Sequence, residues 1–75
     1  MNNARRKEIQ KVIDDINKIV SKLQDICDDE TDSLDNIPEN LHGSSRYEQS
    51  EAAVDALDEA VDGLLDVIEI LEEIE

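Results

Sequence analysis

The chain is 75 residues long and strongly acidic, with 21 Asp and Glu residues against 7 Lys and Arg, which gives a formal net charge of −14. It contains one tyrosine and no phenylalanine or tryptophan, so a fold must rest on aliphatic side chains that pack between helices. Residues 1–22 hold six bases and three acids (net +3), whereas residues 23–75 hold one base and 18 acids (net −17). This charge argues against direct binding to nucleic acid or to an anionic membrane surface.

The first predicted element is a helix over about residues 3–35, with Asn2 or Asn3 as its N-cap. Its apolar side chains recur in three adjacent columns of a heptad lettered a to g, which predicts a broad buried stripe. Column a holds Ile9, Ile16 and Leu23, column d holds Val12, Ile19 and Ile26, and column e holds Ile13, Val20, Cys27 and Leu34. The acidic run 28–32 opposes the negative end of the helix dipole, so we expect the last turns to fray.

A connection is predicted over residues 36–45, with one short helical turn at 38–42. Ile37 precedes a proline and should be extended, which ends the first helix. Gly43 is expected to close the short turn. Ser45 and Glu48 have the spacing of a capping box, which predicts that Ser45 is the N-cap of a second helix over residues 46–75.

The second helix repeats the heptad pattern with the opposite charge balance. Column a holds Val54, Val61 and Ile68, column d holds Leu57, Leu64 and Leu71, and column g holds Ala53, Ala60, Val67 and Ile74. The outward positions from residue 53 onward carry only acids among their charged residues.

These patterns predict an all-α fold, an antiparallel two-helix hairpin of coiled-coil type that forms one domain over residues 1–75. An antiparallel pairing sets the basic start of the chain beside its acidic end. Each helix offers three apolar columns where a two-stranded contact needs two, so we expect a homodimer that forms a four-helix bundle. The predicted core and dimer residues are Ile16, Val20, Leu23, Cys27, Leu57, Leu64, Ile68 and Leu71.

The acidic face of the second helix is the main candidate for a binding surface. Five like-charge pairs at i,i+4 lie on this helix, and together they cost roughly 1–2.5 kcal/mol of helix stability. The face is either a solvated surface that keeps a small bundle soluble or a protein-docking face that imitates a row of phosphates. The predicted docking residues are Asp55, Asp58, Glu59, Asp62, Asp66 and Glu69.

Catalytic and metal sites find little support in the sequence. Cys27 falls on an apolar column and His42 in the polar connection, so no base is placed beside the thiol and we expect no enzyme and no cofactor. Four acids (Asp28, Glu30, Asp32 and Glu39) match positions 1, 3, 5 and 12 of a calcium-binding loop. Ser33, however, stands where that loop needs glycine, so no metal site is predicted.

The location of the protein is also constrained. The basic first residues are followed by no uninterrupted apolar segment, because Asp14 and Asp15 intervene, so no signal peptide is predicted. A single cysteine fits a reducing compartment. We therefore expect a cytoplasmic protein.

Three segments of the chain resemble a family of short acidic proteins encoded in phages and prophages of Firmicutes. They are Asn3-Ala4-Arg5-Arg6-Lys7, Asp35-Asn36-Ile37-Pro38-Glu39-Asn40-Leu41 and the acidic heptads from Ala53 onward. The chain departs from the family at residues 43–48, where relatives often read Ser-Glu-Arg-Gly-Glu. The family has no settled activity, so the resemblance implies no site residues. By analogy, a phage origin favours an inhibitor of a host nucleic-acid-binding or defence protein, and a phage scaffolding oligomer is the alternative.

Overall fold

The computed structural model describes residues 1–74 and consists of two long helices joined by a short connection. Helix α1 spans Asn3–Asp35, a 3-10 turn spans Glu39–Leu41, and helix α2 spans Ser45–Glu72. The described residues contain no strand, and α1 and α2 pack against each other as a hairpin. The molecule is therefore a rod, with Cα extents of 59 × 15 × 13 Å.

Side chains and tight turns define both ends of α1. Asn2 is extended, and its Oδ1 accepts a hydrogen bond from the Arg5 amide at 2.8 Å, which satisfies one of the free N–H groups of the first turn. The helix continues through the acidic run at 28–32 and ends at Asp35, where the Ile37 amide donates to the Leu34 carbonyl oxygen at 3.1 Å. Pro38 follows, with the extended conformation that separates the two helices.

The start of α2 differs from the prediction by one residue. Ser44, not Ser45, is the N-cap: its backbone is extended and its Oγ accepts a hydrogen bond from the Tyr47 amide at 3.2 Å. The Ser44 carbonyl oxygen also accepts the first helical bond, from the Glu48 amide. Glu48 thus lies at the fourth helical position, one beyond the position that a capping box requires. Two adjacent serines offer the same hydroxyl, and the capping-box spacing favours the one that is not used.

The closing of the connection also differs from the expected glycine cap. Among the described residues no glycine has a positive φ, so Gly43 does not use the left-handed conformation. The Ser44 amide instead donates to the Leu41 carbonyl oxygen at 3.0 Å, which leads the chain directly from the 3-10 turn into α2.

Helix α2 ends at Glu72, short of the predicted end at residue 75, and Glu75 lies outside the described residues. The last turn tightens to i→i+3 bonds, since the Glu73 amide donates to the Ile70 carbonyl oxygen and the Ile74 amide to that of Leu71. Carboxylates at this end oppose the helix dipole, so a tapered terminus is the expected form.

The core is a single seam between the helices. Columns a and e of α1 face columns a and d of α2, and the buried side chains are Ile13, Val20, Cys27, Val61 and Ile68. Of the predicted core residues, Val20, Cys27 and Ile68 are buried in this seam, whereas the others are half-buried: Ile16, Leu23, Leu57, Leu64 and Leu71. No described side chain is completely enclosed, because each seam residue has a neighbour on one side only.

The third apolar column of each helix lies outside the seam. Column d of α1 is about half exposed, with Ile19 at 48% and Ile26 at 53%, and in column g of α2 Val67 is 42% exposed. Two helices in contact can bury only the columns that face each other, so the hairpin leaves apolar surface open to solvent. Within residues 1–74, neither helix has an apolar stretch of the length needed to cross a bilayer.

Candidate functional site: the acidic groove

The six predicted docking residues are all exposed, but the seam divides them between two sides of α2. Columns b and e adjoin one edge of the seam, and they hold Asp55, Asp58, Asp62 and Glu69. Column f lies opposite the seam on the outer edge of the rod, and it holds Glu59 and Asp66. The predicted face is therefore two surfaces, and only the first is next to α1.

Acids of α1 join the first surface. Asp25 and Asp28 line a shallow groove together with Asp58 and Asp62. The floor and walls of this acidic groove are completed by Gln24, Cys27, Val61 and Leu65. Of its eight lining residues four are acidic and, within the described part of the chain, none is basic. The groove thus concentrates negative charge from both helices, with a strip of apolar surface between them.

The Cys27 thiol lies at the base of the groove and connects the helices. Its Sγ donates a hydrogen bond to Oδ1 of Asp58 at 3.4 Å and lies 3.9 Å from the Val54 carbonyl oxygen. Removal of the thiol from water raises its pKa, and the adjacent Asp58 carboxylate, which accepts the hydrogen bond, raises it further. The thiol is therefore kept protonated at neutral pH, which makes it a poor nucleophile.

Rigid spacing is the second property of the groove. Carboxylates at i,i+4 on one helix stand about 5–6 Å apart, and each additional turn moves them along the axis by about 5.4 Å. Asp58 and Asp62 are such a pair. Side chains held at this spacing suit the guanidinium and ammonium groups of a basic surface, which form charge-assisted hydrogen bonds with carboxylates.

The calcium-loop pattern does not correspond to a loop in the structure. Asp28, Glu30 and Asp32 belong to α1, which continues to Asp35, so Glu30 projects to nearly the opposite side of the helix from Asp28 and Asp32.

The two ends of the rod have different chemistry. At the open end Arg6 and Glu72 line one depression with Ile13 and Leu71, which brings the basic start of the chain beside its acidic end. At the closed end the rings of His42 and Tyr47 stack with centroids 4.4 Å apart, and the His42 Nε2 lies 3.0 Å from the Ile37 carbonyl oxygen. Tyr47, in the first turn of α2, thus packs against the connection.

Sequence reasoning found the α2 acids of the groove and missed those of α1. Asp25 belongs to no pattern in the sequence and Asp28 only to the calcium-loop match, and their position in the groove depends on the register between the helices. The sequence offers one signal for the α1 acids, which is column e. If Cys27 of that column lies in the seam, the next residue, Asp28, must lie on one flank of the seam.

No family model matches this chain, and neither a curated protein nor a solved structure shows significant similarity to it.

Proposed function

We propose that this hairpin is a non-enzymatic protein-binding module whose acidic groove docks onto a basic, nucleic-acid-binding surface of another protein and blocks it. The observation that carries the proposal is the convergence of Asp25 and Asp28 with Asp58 and Asp62 on one groove. Repulsion among these carboxylates destabilises the isolated hairpin, and a basic partner would relieve it.

The charge pattern supports recognition of a site that normally holds nucleic acid. A duplex presents evenly spaced negative charges on a stiff rod, and proteins bind it through Lys and Arg side chains. This protein is a rod of 59 Å, and its acids repeat along it with the heptad. The exposed side chain of Leu65 on the groove wall would add apolar contact area that phosphates do not provide.

The biological setting is part of the same proposal. The resemblance of residues 3–7 and 35–41 to phage-encoded proteins supports a phage origin, and the target is then a host nucleic-acid-binding or defence protein in the host cytoplasm. Steric block by a small acidic rod needs no catalytic group, and a protonated, hydrogen-bonded Cys27 is consistent with that.

A second candidate function is a phage structural or scaffolding oligomer, in which the acids only keep the assembly soluble. The exposed apolar columns favour it, because Ile19, Ile26 and Val67 are open to solvent in the single hairpin. Under this alternative, binding to other phage proteins would centre on apolar residues and would tolerate salt.

Charge reversal tests the groove. The variant Asp25→Lys/Asp28→Lys/Asp58→Lys/Asp62→Lys reverses the four acids that line the groove and changes the net charge by two units per residue, from −14 to −6. We expect it to lose at least about 90% of the host protein that the tagged wild type retains from lysate at low salt, because four attractive contacts become repulsive. Helical content by circular dichroism should stay unchanged, since all four side chains are exposed.

The matched control reverses four acids at the closed end of the rod, Asp29, Asp32, Asp35 and Glu39, and gives the same net charge. This control should retain the partner. Equal loss in both variants would mean that total charge, not the groove, attracts the partner. Full retention by the groove variant would refute docking through the groove.

A further inference from the structure

The side of the hairpin opposite the acidic groove carries a second apolar stripe. On α2 it follows the 3-4 spacing of a helix-packing seam without any charged residue: Ala53, Ala56, Ala60, Gly63, Val67, Ile70 and Ile74. On α1 it consists of Val12, Ile19 and Ile26. All of these residues are exposed in the single hairpin, and Ile70 reaches 62%. We call this set the apolar face.

Both halves of the apolar face lie on one side of the rod. Each helix is viewed along its axis from the N-terminus to the C-terminus. Column d of α1 is then reached from the seam by a rotation of about a quarter turn, and column g of α2 is reached from the seam by a rotation of the same sense. Because the helices run antiparallel, the same sense brings both columns to the same side. The groove residues Asp28 and Asp58 are reached by the opposite rotation, so they lie on the other side.

The hairpin exposes more surface than a folded monomer of its mass normally does. A compact monomer of 8.5 kDa exposes about 4,700 Å², whereas this chain exposes 5755 Å². The excess of about 1,100 Å² exceeds the roughly 800 Å² that each partner buries in a standard interface. Covering the apolar face by a second rod would remove an area of this order.

Heights along the rod are fixed by contacts across the seam. Cys27 of α1 lies opposite the midpoint between Val54 and Asp58 of α2. A residue of α1 and a residue of α2 are therefore at the same height when their numbers sum to about 83. A twofold axis parallel to the helices leaves every height unchanged and places α1 of one copy over α2 of the other, antiparallel to it. Val12 of one copy then packs beside Ile70 of the other, and Ile19 packs beside Gly63 and Val67. Ile26 packs beside Ala56 and Ala60.

The same arrangement aligns opposite charges along the outer edges of the new contact. Lys11 meets Glu73 of the other copy and Lys18 meets Asp66, since each pair lies at the same height. Glu59 of the other copy lies between Lys22, with which it can pair, and Asp25, which repels it. Within one chain these pairs cannot form, because Lys18 and Asp66 lie on opposite outer edges of the rod. Over residues 5–22 this flank of α1 has a net charge of +2, because Glu8 and Asp15 offset two of its four bases, Arg5, Lys11, Lys18 and Lys22, whereas the following residues of the same columns are acids, Asp25, Asp29 and Asp32.

The alternative face-to-face arrangement is electrostatically poor. In that arrangement the twofold axis is perpendicular to the helices and runs in the direction from α1 to α2. It would place α2 of one copy against α2 of the other. Residues 45–74 hold ten acids and one base, so two such helices would repel each other along their length.

We infer that a second copy of this chain covers the apolar face, related by a twofold axis parallel to the helices, so that α1 of each copy packs on α2 of the other in a four-helix bundle. The acidic groove of each copy remains on the outside. The inference therefore does not depend on the proposed docking function, and either can fail without the other.

A pair of matched substitutions tests the face. The oligomeric state is measured by sedimentation equilibrium on the full chain between about 1 and 200 μM. The wild type is expected to be a dimer in this range. Val67→Glu, on the apolar face, should raise the dimer dissociation constant at least about 100-fold, because it buries an unpaired charge. Leu65→Glu is the control, since Leu65 is 43% exposed, as Val67 is at 42%, but lines the acidic groove. It should remain dimeric.

A charge exchange tests the orientation. Lys11→Glu/Lys18→Glu should weaken the dimer roughly tenfold or more, and Asp66→Lys/Glu73→Lys should do the same. The variant that combines all four changes should restore the wild-type dissociation constant. If net charge alone mattered, the second pair of changes would tighten the dimer, because it lowers the net charge from −14 to −10.

Three results would overturn the inference. A wild type that stays monomeric at 200 μM leaves the face uncovered by a second copy. Equal disruption by Leu65→Glu and Val67→Glu means that the apolar face is not the interface. Failure of the four-change variant to restore dimerisation excludes the parallel twofold axis. Partner capture by the groove is scored separately, so a monomer that still captures its partner would fail only this inference.

Discussion

At the scale of single residues, Cys27 links the hydrophobic seam to the electrostatics of the groove. Its thiol is buried in the seam, yet its proton points to the Asp58 carboxylate across the helix pair. Loss of that proton would place a second negative charge beside Asp58 in a site removed from water. The fold therefore favours the neutral thiol, which raises the pKa of Cys27.

This pKa shift predicts a loss of stability at alkaline pH. Because the pKa is higher in the folded state, the unfolded chain releases its thiol proton first, as pH rises through the ordinary thiol pKa of about 8.5. The free energy of unfolding is expected to fall between pH 7.5 and 9.5 in the wild type and to fall less in Cys27→Ser, whose hydroxyl keeps the hydrogen bond and does not titrate. Urea denaturation followed by circular dichroism measures both.

The comparison between the two proteins isolates the thiol, since it is the only group in which they differ. Equal pH dependence in the wild type and in Cys27→Ser would show that the thiol proton is not coupled to folding.

At the scale of the helices, the heptad pattern predicts the hairpin but not which apolar columns of α1 face α2. The register between the two helices determines those columns. Columns d and e of α1 are equally apolar, with Val12 and Ile19 in one and Ile13 and Val20 in the other. Column e forms the seam, and column d is left at the surface. The sequence of α1 contains no local signal for this choice, because it depends on how α2 lies against it.

The sequence predicts only part of the acidic groove, because the groove also depends on the register between the helices. Asp58 and Asp62 follow from the outward positions of α2 alone. Asp25 and Asp28 join them only through the pairing of the helices, which single-helix periodicity does not describe. Asp66 was assigned to the same face, but the seam places it on the outer edge.

The seam itself can be tested by truncation. Ile68 is 6% exposed and belongs to the core cluster, so Ile68→Ala is expected to lower the free energy of unfolding by about 2–4 kcal/mol. Leu65→Ala removes a similar side chain from the groove wall and should cost about 1 kcal/mol or less, since the leucine is already partly hydrated. Chemical denaturation at a fixed protein concentration compares them. Equal losses would contradict the seam described above.

At the scale of the whole molecule, the protein is a rod with two different sides. Its radius of gyration is 17.3 Å, whereas a compact domain of this length has about 11 Å. One side carries the acidic groove, and the other carries the apolar face. Surfaces of such opposite character on one small hairpin suit two different partners, one basic and one apolar.

We propose that the groove binds a partner through charge, and the salt dependence of capture is the experiment that separates charge from apolar binding. Tagged wild-type protein is incubated with host lysate, and the retained proteins are identified by mass spectrometry in steps from about 50 to 500 mM NaCl. Contacts between carboxylates and a basic surface weaken as the Debye length falls from about 14 to 4 Å over this range. If the groove binds through charge, a basic nucleic-acid-binding protein is held at low salt and released as the salt concentration rises. Retention through 500 mM, or capture of no protein at low salt, would contradict it.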